Sequence, residues 1–240
     1  TIEFEDFTYN FVTDFEKFLY ESGYQTNTVA KHMKHLKSFV NAAINKGYID
    51  PNNYAFRRYK IKMKEGKHVF LLPEEMKKLE EVSLTGRNSC LEHTLDAFLF
   101  CCYTGLRYSD FVNLNEKNIV KMDGKLWLIF EVKLPLNLLF EGKALTLLQK
   151  YQGKWSSFFS IKNNSSVNKE LIRIGKLAKI SKHFSFQSAR HTNATLLIYK
   201  GANITTVQKL LGHKNLATTQ IYGEVMGSTI IRDLKKCQKR

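Results

Sequence analysis

Apolar residues recur at helical spacing in two successive segments near the start of the chain. The first segment runs from Asn10 to Tyr20 and is followed by Gly23, where a helix end is expected. The second begins at Thr26 or Thr28, either of which can cap a helix, and ends near Gly47. Its apolar positions are Val29, Met33, Leu36, Val40 and Ile44. The pattern predicts two amphipathic helices, each with an apolar face for a core.

The composition changes after these two segments. The residues from Asp50 to His68 are polar and basic, with Pro51 near the start and Gly66 near the end. Domain boundaries fall in such polar, exposed stretches, so we place one here. The sequence therefore predicts a helical domain over residues 1–65 and a second domain over residues 66–240.

Helical spacing also dominates the second region. A helix over Pro73–Val82 is predicted because it opens with proline and two acidic residues, which suit a helix N-terminus. The segment Glu92–Tyr103 is apolar on nearly every side, which indicates a helix at the centre of the core, and Thr104-Gly105 ends it. Further segments with helical spacing are 144–149, 168–178, 190–199, 205–211, 216–222 and 228–236.

Two short apolar runs interrupt this helical region. Leu126–Val132 and Leu136–Phe140 lie between Gly124 and Gly142 and predict a small hairpin or sheet, with Pro135 fitting a turn or an edge. The expected fold is therefore mainly α. It consists of a helical N-terminal domain followed by a mixed, mostly helical domain with a small antiparallel β-sheet.

Charge points to the class of partner. The 240 residues carry 37 Lys and Arg against 22 Asp and Glu, a formal net charge of +15. This excess favours a phosphate polymer as partner, and a merely solvated lysine-rich surface is the alternative. The stretch Val29–His68 is strongly basic whereas Thr1–Ser22 is acidic, so the first helix is not expected to be the main DNA face. The apolar content of 43% excludes a mostly disordered chain.

Two groups of basic side chains in this region are candidate contacts to DNA phosphates. The first group, off the apolar face of the second helix, is Lys31, Lys34 and Lys37. Ordinary solvated lysines would give the same pattern. The second group, interleaved with aromatic residues in the basic passage, is Arg57, Arg58 and Lys60. That passage can lie along a charged backbone or pack as a loop between the domains.

The cysteines and the hydropathy pattern narrow the class further. Cys90, Cys101, Cys102 and Cys237 form no CxxC pair, so neither a zinc site nor a disulfide framework is expected. No apolar stretch is long enough to predict a membrane span, and the N-terminus lacks the pattern of a signal peptide. We expect a cytoplasmic protein. The chain starts at Thr1 rather than Met, which indicates a trimmed or processed fragment.

The candidate chemistry lies in the last third of the chain. Arg190, His213 and Tyr222 follow one another in SARHTNATLLIYKGANITTVQKLLGHKNLATTQIY. A guanidinium can hold two phosphate oxygens, an imidazole can donate a hydrogen bond or move a proton, and a phenol oxygen can become a covalent nucleophile. A lone histidine or tyrosine would more often be structural. The three together favour chemistry on a nucleic acid backbone.

Three stretches, TGLRYSDFVNL, SARHTNATLL and LGHKNLATTQIY, together resemble the tyrosine recombinases, or phage-type integrases, and look most similar to integrases of conjugative transposons. The resemblance implies a core-binding domain over residues 1–65 and a catalytic domain over 66–240 that clamp double-stranded DNA from opposite sides. It implies site-specific strand exchange through a 3′-phosphotyrosyl bond, with neither a metal nor a nucleotide cofactor. It also implies a homotetramer on two DNA duplexes.

The resemblance assigns roles to individual residues. Arg107 in TGLRYSD and Arg190 match the two arginines that flank the phosphate, and lysine cannot reproduce their forked geometry. His213 matches a phosphate hydrogen-bond donor and Tyr222 the nucleophile. Asp110 stands where a carboxylate usually supports the site from behind these residues.

Two positions depart from the family pattern. Gln187 stands where members usually carry histidine, and its amide can donate a hydrogen bond but cannot shuttle a proton. The lysine that protonates the leaving 5′ oxygen is best matched by Lys133, with Lys125 and Lys143 as alternatives. The leading interpretation is a recombinase of a mobile element. A catalytically impaired DNA-binding member and a type IB topoisomerase are the competing ones.

Overall fold

The computed structural model of the chain describes residues 2–64, 66, 68–136, 138–153, 158–159, 161 and 163–223. It contains two compact units, Thr1–Lys67 and His68–Arg240. The helices of the first unit are α1 (Tyr9–Glu21) and α2 (Thr26–Asn45). Those of the second are α3 (Pro73–Glu80), α4 (Glu92–Thr104), α5 (Tyr108–Val112), α6 (Lys143–Tyr151), α7 (Asn164–Leu177), α8 (Ser188–Tyr199), α9 (Ile204–Leu211) and α10 (Ala217–Gln220). Its strands are β1 (Ile119–Met122), β2 (Lys125–Ile129) and β3 (Lys133–Pro135).

The first unit is built on the two predicted amphipathic helices. The Thr8 side chain accepts a hydrogen bond from the Phe11 amide and so caps α1. Gly47, just after α2, has a φ of +76°, which a glycine adopts without strain. The residues that form the core between the helices are Val12, Leu19, Val29, Met33, Val40 and Ala43. Both helices are confirmed.

The basic passage after α2 packs onto this same unit. Phe56 and Tyr59 are buried in its core, whereas Arg57, Arg58 and Lys60 are exposed. The aromatic residues of this passage thus stabilise the fold. Its basic residues Arg57, Arg58 and Lys60 face solvent.

The second unit is organised around α4. Every residue from Thr94 to Thr104 is buried, and the helix packs against α6, α7 and α8. Phe98 and Phe100 of α4 contact the rings of Phe184 and Phe159. The predicted central helix is therefore confirmed.

A three-stranded antiparallel sheet in the order β1-β2-β3 accompanies these helices. The prediction of a small antiparallel sheet is confirmed, but the second strand was misplaced. It is β3, at Lys133–Pro135, and the predicted strand Leu136–Phe140 is wrong because Leu136 and Leu139 turn into the core instead. Strand β1 was not predicted, since two of its four residues are exposed and carry little apolar signal.

The mainly α fold, with its small sheet in the second unit, is confirmed. The helix predicted at 228–236 lies outside the described residues. Within the described part of the chain, no helix combines the length and apolar character needed to cross a bilayer.

Candidate active site

Two helices of the second unit end on a glycine, and these ends frame the site. Gly105 follows α4 with a φ of +69°, and Gly212 follows α9 with a φ of +64°. A Cβ on Gly105 would lie 2.6 Å from Asn193 Oδ1, and one on Gly212 would lie 2.8 Å from Val132 Cγ1. Glycine is therefore required twice over, by the left-handed backbone and by the close approach of a neighbour.

Arg190, near the start of α8, is held by these two helix ends. Its Nη1 donates to the Gly105 carbonyl at 2.6 Å, and its Nη2 donates to the Leu211 carbonyl. Carbonyls at a helix C-terminus carry partial negative charge and favour a cation. Burial and the nearby Arg107 lower the pKa of Arg190 to about 10, so it still carries its charge at neutral pH.

Arg107 immediately precedes α5 and reaches the same backbone. Its Nη2 donates to the Gly212 carbonyl at 3.3 Å, while its Nη1 pairs with Glu131 Oε2 at 3.1 Å. Asp110, in the first turn of α5, acts against the lowering of the Arg190 pKa. The two predicted arginines therefore converge on one short segment of main chain.

His213 is positioned by the turn that ends α9. Its amide donates to the Gln208 carbonyl at 3.1 Å, and its Nδ1 lies 2.9 Å from Oγ1 of the fully buried Thr219. The Thr219 contact leaves Nε2 as the nitrogen for a ligand. Burial, followed by the charges of Arg190 and Arg107, lowers the pKa of His213, which favours the neutral imidazole.

Tyr222 follows α10 and is buried, with 7% of its surface exposed. Its ring lies 6.3 Å from the His213 ring at 22° to it, and its hydroxyl oxygen is 2.9 Å from His191 Nδ1. Burial raises the pKa of Tyr222 and Arg190 opposes that rise. The phenol is therefore protonated at neutral pH, and deprotonation must accompany any attack by its oxygen.

The other predicted residues are more exposed. Lys133 begins β3, two residues after the Glu131 that pairs with Arg107. Gln187 is at the N-cap position of α8, one turn before Arg190, and is exposed. The structure thus brings Arg107, Arg190, His213 and Tyr222 together. The Gln187 carbonyl accepts from the Arg190 amide at 3.2 Å, but among the described residues no side-chain hydrogen bond or ion pair joins Lys133 or Gln187 to these four.

The candidate phosphate contacts of the first unit are also exposed or half-buried. Lys34 Nζ lies 2.9 Å from Met63 Sδ, and Arg57 Nη2 donates to the Pro51 carbonyl at 3.1 Å. Lys31 is exposed and Lys37 is half-buried on α2.

Sequence reasoning missed two histidines at this site. The His68 ring lies 4.8 Å from the His191 ring and 6.5 Å from the Tyr222 ring. His191 follows Arg190 directly, so the SARHT stretch contained a signal for it. His68 lies in the basic passage, far along the chain from the rest, and no local pattern distinguishes it.

The arrangement can bind an anion and attack it. Two guanidiniums and an imidazole converge beside a buried phenol, which suits a phosphodiester and a tyrosine nucleophile. Among the residues described, no group of three His, Cys, Asp or Glu side chains is placed to hold a metal ion.

Comparison with known proteins identifies matching families and folds. The phage integrase family matches residues 69–227, and the phage integrase SAM-like domain matches residues 1–62. The tyrosine recombinase XerC of Vibrio cholerae is 26% identical over 221 residues, which cover 83% of this chain and 68% of that protein.

Two solved structures share the fold. The Tn1549 transposon integrase in complex with a circular intermediate DNA has a TM-score of 0.70 at 17% identity, covering 97% of this chain and 86% of that one. The XerH site-specific recombinase bound to difH substrate has a TM-score of 0.66 at 21% identity and covers 90% of this chain. The chain spans 66% of the XerH chain.

Proposed function

Because the chain belongs to the phage integrase family, whose members are the DNA strand-transferring tyrosine recombinases, we propose that it is a site-specific recombinase that inserts or excises a mobile element. The convergence of Arg107, Arg190, His213 and Tyr222 at one site of the second unit is the observation that carries this proposal. No other described part of the second unit combines two anion-binding arginines with a buried phenol.

The reaction begins with Tyr222. Its oxygen attacks a phosphorus of the DNA backbone, and the bond from phosphorus to the 5′ oxygen breaks, which leaves a 3′-phosphotyrosyl bond. Arg107 and Arg190 stabilise the negative charge that grows on the non-bridging oxygens. His213 donates a hydrogen bond to one of these oxygens through Nε2, and Lys133 gives a proton to the leaving 5′ oxygen. The 5′ hydroxyl of a partner strand then reverses the step and completes the exchange.

DNA binding extends to the first unit. The exposed lysines of α2 and the exposed basic residues of the passage after it lie within the match to the SAM-like domain. The XerH and Tn1549 proteins were both solved in complex with DNA, which supports double-stranded DNA as the partner. We propose four copies of the chain on two duplexes as the working assembly.

A Xer-type recombinase is the second candidate, favoured by the similarity to XerC. The two candidates differ in where the enzyme acts. Covalent adducts trapped with SDS in the host cell and sequenced would cluster at the two ends of an element for the first candidate. For the second candidate they would cluster at one chromosomal site.

A single test examines strand cleavage itself. The chain is incubated with nicked duplexes that carry a randomised central segment, and the DNA that remains attached after SDS is recovered. We expect adducts with the natural chain and none with Tyr222→Phe, which keeps the ring and removes the nucleophile. If both proteins bind DNA and neither is captured, the impaired DNA-binding alternative raised by Gln187 is correct.

A religation test excludes the topoisomerase alternative. A recombinase joins DNA from two different duplexes that carry the captured site. A topoisomerase relaxes supercoils and rejoins only the strand that it cut.

A further inference from the structure

Three imidazoles surround the phenol of Tyr222, and one of them contacts its hydroxyl directly. His191 Nδ1 lies 2.9 Å from the Tyr222 oxygen, and the two ring centres are 5.5 Å apart. The rings of His68 and His213 are farther from the phenol, at 6.5 and 6.3 Å. His213 is fixed through Nδ1 by Thr219 and is thereby directed elsewhere. His191 is the imidazole within hydrogen-bond distance of the atom that attacks.

Burial and the charges around His191 keep its imidazole neutral in the free protein. Burial is the larger cause, and together with the neighbouring His68, Arg190 and His213 it lowers the pKa of His191 to about 4. A neutral imidazole has one nitrogen that accepts a hydrogen bond. The phenol is protonated because burial raises the pKa of Tyr222. With the imidazole proton on Nε2, the phenol donates to Nδ1, and this is the arrangement from which a proton can be transferred.

We propose that His191 is a further catalytic residue, the general base that takes the proton of Tyr222 as the phenol attacks the phosphodiester. The O–H bond of Tyr222 breaks and the proton moves to Nδ1 of His191, which becomes an imidazolium. The phenol oxygen forms its bond to phosphorus while the bond to the 5′ oxygen breaks. In the reverse step the imidazolium returns the proton to the phenol oxygen as it leaves phosphorus.

This role compensates for the departure at Gln187. An amide cannot accept the proton, and Gln187 is exposed at the start of α8. His191 lies one turn farther along the same helix, on the residue next to Arg190. The base and the phosphate-binding arginine are therefore carried by consecutive residues.

DNA binding itself makes this base effective. A phosphodiester held by Arg107 and Arg190 adds a negative charge beside the two guanidiniums, which opposes the effect of Arg190 on His191. Its basicity then rises toward the range in which general bases work best. His191 is thus a weak base in the free protein and a stronger one when a phosphate is bound.

The test rests on the proposed strand cleavage and uses the duplexes captured by the natural chain. His191→Asn is the informative variant because the amide oxygen can still accept a hydrogen bond from the phenol but cannot take up a proton. His183→Asn, an exposed histidine of the same unit, is the matched control. We expect His191→Asn to lower the single-turnover cleavage rate by about 100-fold, the lower end for loss of a general base, with DNA affinity unchanged. The control should cleave at the natural rate.

Three further readouts separate a base from a residue that only positions the phenol. Added imidazole should restore part of the rate of His191→Ala, and more so as the pH rises through the pKa of free imidazole. A duplex with sulfur in place of the leaving 5′ oxygen should rescue Lys133→Ala, whose acid is then unnecessary, but not His191→Asn. A natural rate in His191→Asn would overturn the proposal while leaving strand cleavage intact. A natural chain that forms no Tyr222-dependent adduct with any duplex would instead overturn the proposed function.

Discussion

Replacing Gly105 with alanine tests whether the packing around this position leaves room for a Cβ atom. The added Cβ would lie 2.6 Å from Asn193 Oδ1 and 2.8 Å from Leu211 Cδ2, both closer than real contacts allow. Asn193 is only 2% exposed and donates to the Cys102 carbonyl at 2.9 Å, so it cannot move without breaking a buried hydrogen bond. The substitution therefore forces a change in the packing of α4 against α8.

The expected loss in the free energy of unfolding of Gly105→Ala has two parts. Alanine at a φ of +69° costs about 1 kcal/mol for the left-handed backbone. Relieving the clash adds about 2 to 3 kcal/mol, the range for overpacking and for a lost buried hydrogen bond. Gly124→Ala is the matched control, because its φ is +72° and a Cβ there meets no atom within 4 Å. It should lose only the backbone part, about 1 kcal/mol.

Urea unfolding, monitored by tryptophan fluorescence, measures the difference in the free energy of unfolding between the two variants. The sequence of the first unit contains no tryptophan and Trp127 lies in β2 of the second unit, so the signal reports the unit that contains both glycines. With a slope of about 2 kcal/mol per molar urea, Gly105→Ala should unfold about 1 M earlier than Gly124→Ala. Equal midpoints for the two variants would refute the steric argument at Gly105.

Three other outcomes follow from the same contacts. Arg190→Lys should lower the cleavage rate by about 100-fold or more in the adduct assay, because an ammonium cannot bridge two carbonyls and a phosphate at once; a loss below tenfold would contradict this. The pKa of His191 is about 4 in the folded protein, against 6.5 for an ordinary imidazole, so between these pH values the unfolded chain binds more protons. The urea midpoint should therefore fall as the pH is lowered from 6.5 to 4. His191→Asn should flatten this dependence of the urea midpoint on pH. A dependence as steep as that of the natural chain would count against the low pKa of His191. Log DNA affinity should fall against log salt with a slope on the order of five or more, and alanine at Lys31, Lys34 and Lys37 should reduce that slope by about 3 if all three contact phosphates.

The helices could be predicted from the sequence because their apolar residues follow one face or, in α4, fill every side. The strands were harder. β1 and β3 are four and three residues long, too short for alternation to stand out, and the apolar run at Leu136 enters the core as irregular chain. Where tertiary packing determines the path of the backbone, the local pattern of apolar residues does not predict it.

The candidate site also has a part that the sequence predicts and a part that it does not. Arg107, Arg190, His213 and Tyr222 stand in recognisable stretches of sequence, and the structure brings them together. The contacts that orient them were not predictable, since Arg190 is held by main-chain carbonyls, which every residue possesses. The contact between His191 and Tyr222 joins α8 to the second residue after α10, and it exists only once both are folded.

The main-chain hydrogen bonds to the two arginines also affect which positions of this protein can vary in sequence. Gly105, Leu211 and Gly212 hold the guanidiniums through oxygens that no substitution removes. The orientation of the two arginines therefore depends on the path of the backbone at these positions and not on the chemistry of a partner side chain. The backbone path itself requires the two glycines, and a deep mutational scan should show both as intolerant positions, together with the buried Thr104, Leu106 and Leu211 beside them.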